Sequence, residues 1–163
     1  MISKKVMLAG NFGVGKTSLF NRFIHNAFDE RYLTTIGVKV DSKVVQLKSE
    51  DKMKLMIWDI AGEVSQTKVP QTYWLGASGI LYVFDLTRPT TFERIEEDIA
   101  FLKEKLPNCV IKLIGNKCDL VSEERIADVK NRFQVDAITS AKTGEQVEEV
   151  FLALADDIND QPL

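Results

Sequence analysis

The sequence lacks three features that would classify a protein at once: paired cysteines, an excess of basic residues and a long apolar run. Its two cysteines, Cys109 and Cys118, lie in or beside a predicted buried strand, which argues against a disulfide framework and favours a reducing compartment. With 21 basic and 24 acidic residues the net charge is −3, so nothing indicates general nucleic-acid binding. No apolar segment approaches the roughly 18 residues that span a bilayer.

The two ends of the sequence carry no recognisable targeting signal. Residues 1–5 read MISKK, lead directly into a predicted strand and are too short for a signal peptide. Residues 160–163 read DQPL and contain no cysteine for prenylation. Membrane attachment is therefore not evident, and we expect a cytoplasmic monomer.

Strand-like and helix-like segments alternate along the chain without internal repeats, low-complexity tracts or a linker. Apolar runs at residues 6–9, 80–84 and 110–114 are typical of parallel strands that are covered on both faces. Between them, apolar residues recur every three or four positions, as in helices that pack on a core. The clearest stripes are Phe92, Ile95, Ile99, Leu102 and Leu106; Ile126, Val129 and Phe133; and Val147, Val150, Leu154 and Ile158. The alternation predicts one α/β domain over residues 1–163.

One pair of predicted strands, at residues 38–47 and 52–58, breaks the parallel pattern. The connection between them is too short for a crossover and suits an antiparallel hairpin. We therefore predict a three-layer αβα fold with a mixed six-stranded sheet, one antiparallel edge strand and about five helices. Ser122, followed by Glu123 and Glu124, is predicted to cap one helix. In a doubly wound sheet of this kind, ligands bind at the carboxyl ends of the strands.

Residues 10–17 read GNFGVGKT and directly follow the first apolar run. They fit G-x-x-x-x-G-K-[ST], the phosphate-binding P-loop, with the required strand before the motif and an amphipathic helix after it. The glycines let successive N–H groups turn towards phosphate oxygens, and the helix dipole adds positive potential. We expect the phosphates to be bound by Gly13, Val14, Gly15, Lys16 and Thr17. Lys16 is predicted to neutralise the β- and γ-phosphates and the Thr17 hydroxyl to hold Mg²⁺.

Short polar motifs follow the third, fifth and sixth predicted strands. After the third, Asp59 is placed to hold a water of the Mg²⁺ shell and Gly62 to bring its N–H to the terminal phosphate. After the fifth comes NKCD at residues 116–119, in which Asp119 is able to accept both the N1–H and the 2-amino hydrogens of guanine. Adenine does not present that pair of donors. After the sixth comes SAK at residues 140–142, in which the Ala141 N–H is placed to donate to guanine O6.

Each of these short motifs is weak by itself, and Asp59 to Gly62 alone reads as an ordinary turn. Within the motif that follows the fifth strand, we expect Asn116 to brace the loop and reach the purine edge while the Lys117 stem lies along the base. The ordered set of four motifs at successive strand ends indicates a guanine-nucleotide site.

With these motifs in place, the chain resembles a small GTPase of the Ras superfamily and is most similar to the Rab branch, over essentially its whole length. The segments YLTTIG (residues 32–37), KLMIWD (54–59) and YWLGA (73–77) also match that branch. The resemblance implies binding of GTP or GDP with Mg²⁺, with Thr35 ligating the metal when the γ-phosphate is present. It also implies contacts of regulators and effectors with the two switch segments. Phe28, a core aromatic by pattern alone, matches the aromatic that lies against the guanine.

The sequence departs from the family pattern at several positions. Phe12 occupies a P-loop position that usually holds glycine, serine or another small residue. Residues 59–64 read DIAGEV where the family has DTAGQE, so Glu63 replaces the glutamine that positions water, and residues 65–68 (SQTK) lack the usual Arg and Phe. Two effector-facing aromatics, Trp58 and Tyr73, are present, while the third position is Val40.

We therefore expect a guanine-nucleotide switch with weak GTP hydrolysis and with Lys16, Thr35, Gly62 and Glu63 as its catalytic residues. Lys16, Mg²⁺ and the loop N–H groups would stabilise the transition state. Two alternatives stay open. The first is a scaffold that binds GTP or GDP and hydrolyses almost none. The second is another P-loop enzyme, such as an ATPase or nucleoside kinase, against which Asp119 and the absence of an Arg-rich lid argue.

Overall fold

The computed structural model of the protein describes residues 1–30, 37–60 and 71–162. Strands and helices alternate through these ranges as predicted. The strands are β1 (Ile2–Gly10), β2 (Val38–Gln46), β3 (Lys52–Ile60), β4 (Ala77–Asp85), β5 (Val110–Asn116) and β6 (Ala137–Ile138). The α-helices are α1 (Lys16–His25), α2 (Gln71–Trp74), α3 (Ile95–Lys105), α4 (Glu123–Arg132) and α5 (Val147–Asn159). Short 3₁₀ helices, Pro89–Phe92 and Cys118–Leu120, precede α3 and α4.

The six strands form one mixed sheet in the order β2-β3-β1-β4-β5-β6. β2 pairs antiparallel with β3, with Val40 opposite Trp58, and lies at one edge of the sheet. The other neighbouring pairs are parallel. The predicted six-stranded mixed sheet with one antiparallel edge strand is therefore confirmed.

Two hydrophobic cores lie on opposite faces of the sheet because successive residues of a strand point to opposite sides. In β1, Val6 and Leu8 face the core that contains the apolar sides of α1 and α5. Met7 and Ala9 face the core that contains α3 and α4. The helices thus cover both faces, which is the predicted three-layer arrangement.

Two helix termini show how far the sequence patterns hold. Ser122 caps α4 as predicted, since its side chain accepts a hydrogen bond from the Arg125 N–H at 3.2 Å. The stripe that begins at Phe92 was predicted to be one helix, but the structure divides it. Phe92 closes a 3₁₀ helix that starts at Pro89, and α3 begins only after Arg94, whose backbone (φ −108°, ψ 8°) is not helical. Both parts nevertheless contribute to the same core.

Cys109 and Cys118 are free thiols in the structure. Burial raises the pKa of each to about 12, and the carboxylate of Glu145 adds to this effect at Cys118. Among the described residues, no helix has both the length and the apolar character needed to cross a bilayer.

Candidate functional site

The predicted site residues within the described ranges lie at the edge of the sheet that is formed by the carboxyl ends of its parallel strands. These strands are β1, β3, β4, β5 and β6. Residues 10–17 connect β1 to α1, Asp59 is the penultimate residue of β3, and residues 116–119 and 140–142 follow β5 and β6. The fold thus gathers motifs that are far apart in sequence.

Two P-loop glycines occupy positions where a side chain would be strained. Gly10 and Gly15 have φ values of 136° and 104°, in the region that L side chains rarely adopt. A Cβ on Gly10 would lie 2.1 Å from the Val83 carbonyl oxygen, and one on Gly15 would lie 2.3 Å from Asn116 Nδ2. The loop is therefore packed tightly against the ends of β4 and β5.

Three successive P-loop carbonyls accept hydrogen bonds from side chains outside the loop. The contacts are Arg88 Nη2 to Phe12 O at 2.7 Å, Lys117 Nζ to Gly13 O at 3.1 Å, and Asn116 Nδ2 to Val14 O at 3.1 Å. In a trans peptide the N–H points opposite to the C=O. Holding these carbonyls therefore directs the N–H groups of residues 13–15 to the other side, which is the geometry of an anion-binding loop.

Two of the three donors, Lys117 and Arg88, also form ion pairs with one buried carboxylate, that of Asp85 at the end of β4. Lys117 Nζ lies 2.8 Å and Arg88 Nε 3.1 Å from Asp85 Oδ2. Thr87 donates to Oδ1 through its N–H and its hydroxyl, at 2.8 and 2.6 Å. Burial by itself raises the pKa of Asp85, but the hydrogen bonds from Lys117 and Thr87 and the Lys117 charge outweigh it and lower the pKa. Asp85 is not among the predicted site residues, although an acid that closes the apolar run at residues 80–84 is a visible signal in the sequence.

The two predicted metal ligands within the described ranges are brought together. The Thr17 hydroxyl donates to Asp59 Oδ2 at 2.6 Å, and Asp59 is fully buried. The buried Lys16 extends its ammonium back over the loop to Gly10 O at 2.9 Å. A hydroxyl beside a carboxylate is a set of hard oxygen ligands that fits Mg²⁺. The predicted third ligand, Thr35, lies outside the described residues.

The predicted base-recognition residues also converge. Asn116 is buried, and its Oδ1 accepts a hydrogen bond from the Thr139 hydroxyl at 3.0 Å. Its Nδ2 donates to the P-loop carbonyl of Val14. The Ser140 hydroxyl donates to Asp119 Oδ1 at 2.8 Å, so the loop after β6 is joined to the loop after β5. The Thr143 N–H donates to the same hydroxyl at 3.0 Å. Asp119 itself is exposed, with its carboxylate at the surface of the site.

The remaining predicted positions divide into described and undescribed ones. Gly62 and Glu63, like the altered segment at 65–68, lie outside the described residues. The Phe12 side chain is 57% exposed. Phe28 is half-buried and packs against the core beneath α1 and α5.

The predicted effector-facing residues lie next to one another, with Val40 and Trp58 on β2 and β3 and Tyr73 on α2. The Trp58 and Tyr73 rings are 6.2 Å apart, and exposed Val40 is the register partner of Trp58. Lys5 Nζ lies 3.9 Å from the centre of the Trp58 ring.

The loop between β1 and α1 is rich in glycine and ends in Lys16 and Thr17, and its carbonyls at residues 12–14 accept hydrogen bonds from side chains outside the loop. These features define a P-loop nucleotide-binding protein. The sequence matches the Ras family over residues 5–160. The chain therefore belongs to the Ras family. It is a Rab-like small GTPase, a GTP-binding switch that hydrolyses GTP.

Several Rab proteins are similar to nearly the whole chain. "Ras-related protein Rab-8B" of Homo sapiens is 37% identical over 161 residues, which cover 94% of this chain and 77% of that protein. "Ras-related protein Rab-8" of Diplobatis ommata is 38% identical, with 94% of this chain and 76% of that protein covered. "Ras-related protein Rab-13" of Canis lupus familiaris is 35% identical, with 94% and 79% covered.

Proposed function

We propose that the protein binds GTP and GDP with Mg²⁺ at the edge described above, and that it reads guanine through the loops after β5 and β6. The observation that carries this proposal is the hydrogen bond from Asn116 Nδ2 to Val14 O. It joins the predicted base-recognition loop to the predicted phosphate loop, so one ligand with a purine at one end and phosphates at the other would contact both.

At the phosphate end, the N–H groups of residues 13–15 would donate to phosphate oxygens. Lys16, which contacts Gly10 O in the structure, would move its ammonium to the β- and γ-phosphates. Thr17 would ligate Mg²⁺, and Asp59 would act on the metal directly or through a water. When bound, the metal would supply positive charge against the phosphate oxygens as negative charge shifts during transfer.

At the base end, Asp119 would accept the N1–H and 2-amino hydrogens of guanine as two charge-assisted hydrogen bonds. The Ala141 N–H would donate to O6, and the Lys117 stem would lie along the base. Phe28 would cover the other side of the ring. Adenine lacks the donors that Asp119 requires, so an adenine nucleotide would offer the carboxylate no hydrogen bonds from the base and bind more weakly.

In the switch cycle, Thr35 and the Gly62 N–H would contact the γ-phosphate and release when it is lost. We propose that intrinsic hydrolysis is slow. Glu63 accepts a hydrogen bond from water but, when ionised, donates none to the phosphoryl group, and its negative charge opposes the phosphate oxygens. Phe12 would add bulk beside the terminal phosphate.

Interaction of the two switches with regulators and effectors would follow the general behaviour of the family. The group formed by exposed Val40 and the half-buried Trp58 and Tyr73 supports a protein-binding role for this part of the surface. Similarity to Rab proteins supports Rab-like signalling or trafficking. We propose in addition that the protein acts as a monomer in the cytoplasm.

The test begins with the nucleotide that co-purifies with the protein, identified after denaturation. Competition between labelled GDP and unlabelled GDP, GTP, ADP or ATP follows, and then single-turnover hydrolysis with Mg²⁺. We expect guanine nucleotide in the purified protein, poor competition by ADP and ATP, and a measurable but slow turnover. Equal competition by adenine nucleotides would sink the guanine-binding proposal. Guanine selectivity without detectable turnover would favour the nucleotide-bound scaffold.

A further inference from the structure

One side chain on α1, that of Arg22, grips the loop that follows β6. Its Nε donates to Ala141 O at 2.8 Å and its Nη2 donates to Lys142 O at 2.5 Å. Nη1 donates to Asn26 Oδ1 at 3.1 Å, and Asn26 is the residue that ends α1. The planar guanidinium, whose donors form a rigid fork, is thus fixed to its own helix while it holds two successive carbonyls of the loop.

These contacts fix the peptide groups around Ala141. Ser140 O accepts a hydrogen bond from the Gly144 N–H at 2.8 Å, and Ala141 O accepts one from Arg22. Ala141 therefore lies between two peptide groups whose carbonyls are both held. Because the N–H of a trans peptide points opposite to its C=O, the N–H groups of Ala141 and Lys142 are directed away from these donors.

The Ala141 N–H is a hydrogen-bond donor that a ligand could satisfy. Ala141 is 3% exposed, and within the described ranges no backbone carbonyl accepts from its N–H. A buried donor without an acceptor costs free energy, so an acceptor supplied by a ligand would be favoured there.

We propose that Arg22 is a positioning residue for base recognition. Its contact with Ala141 O directs the Lys142 N–H, and its contact with Lys142 O fixes the next peptide group. Together with the hydrogen bond from Gly144 to Ser140 O, these contacts keep the loop in the conformation in which the N–H groups of residues 141 and 142 face O6 of the purine. This inference rests on the proposed guanine-binding function. Without Arg22 the loop regains backbone freedom, and binding of the base has to order it again. The loss should therefore fall on the contact with O6 and leave the phosphate contacts intact.

Binding of three nucleoside diphosphates distinguishes the contact with O6 from the other contacts of the site. GDP presents O6, N1–H and the 2-amino group. IDP keeps O6 and N1–H but lacks the 2-amino group. 6-Thio-GDP keeps N1–H and the 2-amino group but replaces O6 with sulfur, which accepts hydrogen bonds weakly. Affinities for all three, and for ADP, are measured by competition with labelled GDP in the presence of Mg²⁺.

The variants are Arg22→Met, which keeps the aliphatic stem, and Arg22→Lys, which keeps the charge but has no fork to hold two carbonyls. Lys39→Met is the matched control, because Lys39 also contacts α1, at Asn21 Oδ1 (3.1 Å), but has no contact with the loop after β6 among the described residues. We expect Arg22→Met to weaken GDP and IDP by the same factor of roughly ten and 6-thio-GDP by clearly less. Arg22→Lys should show the same pattern with a smaller loss, and Lys39→Met should show no such pattern.

An equal loss for all three diphosphates would mean that Arg22 only supports the fold, and no loss for any of them would mean that it does not act on the loop. Either result overturns the inference. If Arg22→Met fails to fold, Arg22→Lys carries the same comparison. Failure of the guanine-binding proposal itself looks different, since the wild-type protein would then bind ADP as tightly as GDP.

Discussion

The two ends of the site are held by different kinds of contact. At the phosphate end, Arg88 and Lys117 reach P-loop carbonyls while both rest on the fully buried Asp85. At the base end, the loop at 140–142 is held by the half-buried Arg22 and joined to an exposed carboxylate, that of Asp119.

The difference has a physical consequence. Opposite charges around a buried carboxylate are costly to separate, because removing one partner leaves the others uncompensated in a poorly solvated place. Contacts of exposed groups are screened by water and rearrange at lower cost. The phosphate end therefore suits groups that every nucleotide shares, and the base end suits a choice between purines.

The largest effect should come from Asp119→Asn at the base end. Loss of two charge-assisted hydrogen bonds should weaken GTP and GDP by about 10²- to 10⁴-fold. Xanthine nucleotide should gain affinity, because its 2-oxo group needs a donor that asparagine supplies. Competition against labelled nucleotide measures both changes. A variant that still preferred guanine would show that the base end does not make the choice.

At the phosphate end, Thr17→Ala should weaken GDP and GTP alike by about ten- to a hundredfold in Mg²⁺, since a ligand common to both states is lost. With excess EDTA the difference from the wild type should shrink. Thr35→Ala should instead act mainly on the triphosphate form. Limited proteolysis of residues 30–40 with each nucleotide checks this, and an unchanged contrast between GDP and GTP would contradict the two-state reading.

Asp85→Asn tests the buried carboxylate by stability. At neutral pH the variant should lose about 1–3 kcal/mol of unfolding free energy, because the charges of Lys117 and Arg88 remain without their partner. The pKa of Asp85 is lowered in the fold from its ordinary 3.8, so the folded state binds the proton less readily than the unfolded chain. The stabilisation is therefore complete above about pH 4 and is lost as pH falls through the folded pKa.

Denaturant unfolding of the wild type and Asp85→Asn at pH 7 and at several values below 4 measures this difference. The gap between the two proteins should close as the solution becomes more acid. A gap that stays constant would show that the carboxylate is not paired as the structure has it.

The rate of GTP hydrolysis should change with residues 12 and 63 independently of nucleotide affinity. The double change Phe12→Gly with Glu63→Gln should raise single-turnover hydrolysis by about tenfold, since it restores a neutral donor and removes bulk. Glu63→Gln alone should do most of this if the exposed Phe12 ring stays clear of the phosphate, and little if the ring blocks it. A wild-type rate equal to that of the double variant would refute both readings. An arginine finger, normally worth about 10³ to 10⁵, should rescue the wild type poorly.

The smallest effect should come from Arg88→Met. Lys117 and Asn116 still hold the neighbouring carbonyls, so the loss should be only about threefold, and equal for GDP, IDP and 6-thio-GDP. Equality is expected because the N–H opposite Phe12 O faces phosphate, which the three ligands share. A loss that depended on the base would blur the distinction from Arg22 and contradict the division of the site into two ends.

Much of this arrangement was predictable from sequence because local patterns encode it. The apolar runs predicted the parallel strands and the short 48–51 connection predicted the antiparallel edge. The motifs assigned Thr17 and Asp59 to the same metal, and the loops at 116–119 and 140–142 to the same base. The roles assigned to these residues stay predictions, as do those of Thr35, Gly62 and Glu63.

The side chains that hold the site were not predictable in the same way. Arg22 contacts a carbonyl 119 positions away in sequence, and Arg88 contacts one 76 positions away. A single arginine on a helix or in a turn has the same appearance in sequence whether it faces solvent or grips a loop. Backbone carbonyls, the atoms that these arginines hold, leave no trace in residue identity at all.

Helix α1 begins at Lys16, beside the phosphates, and carries Arg22 six residues later. At ~1.5 Å per residue, about 9 Å of rigid helix separates the two ends of the site. The helix thus sets both the distance and the rotation between the P-loop and the side chain that holds the loop at 140–142. One residue inserted between Lys16 and Arg22 would turn Arg22 by about 100° around the helix axis and break its contacts with that loop, although every residue of both motifs would still be present.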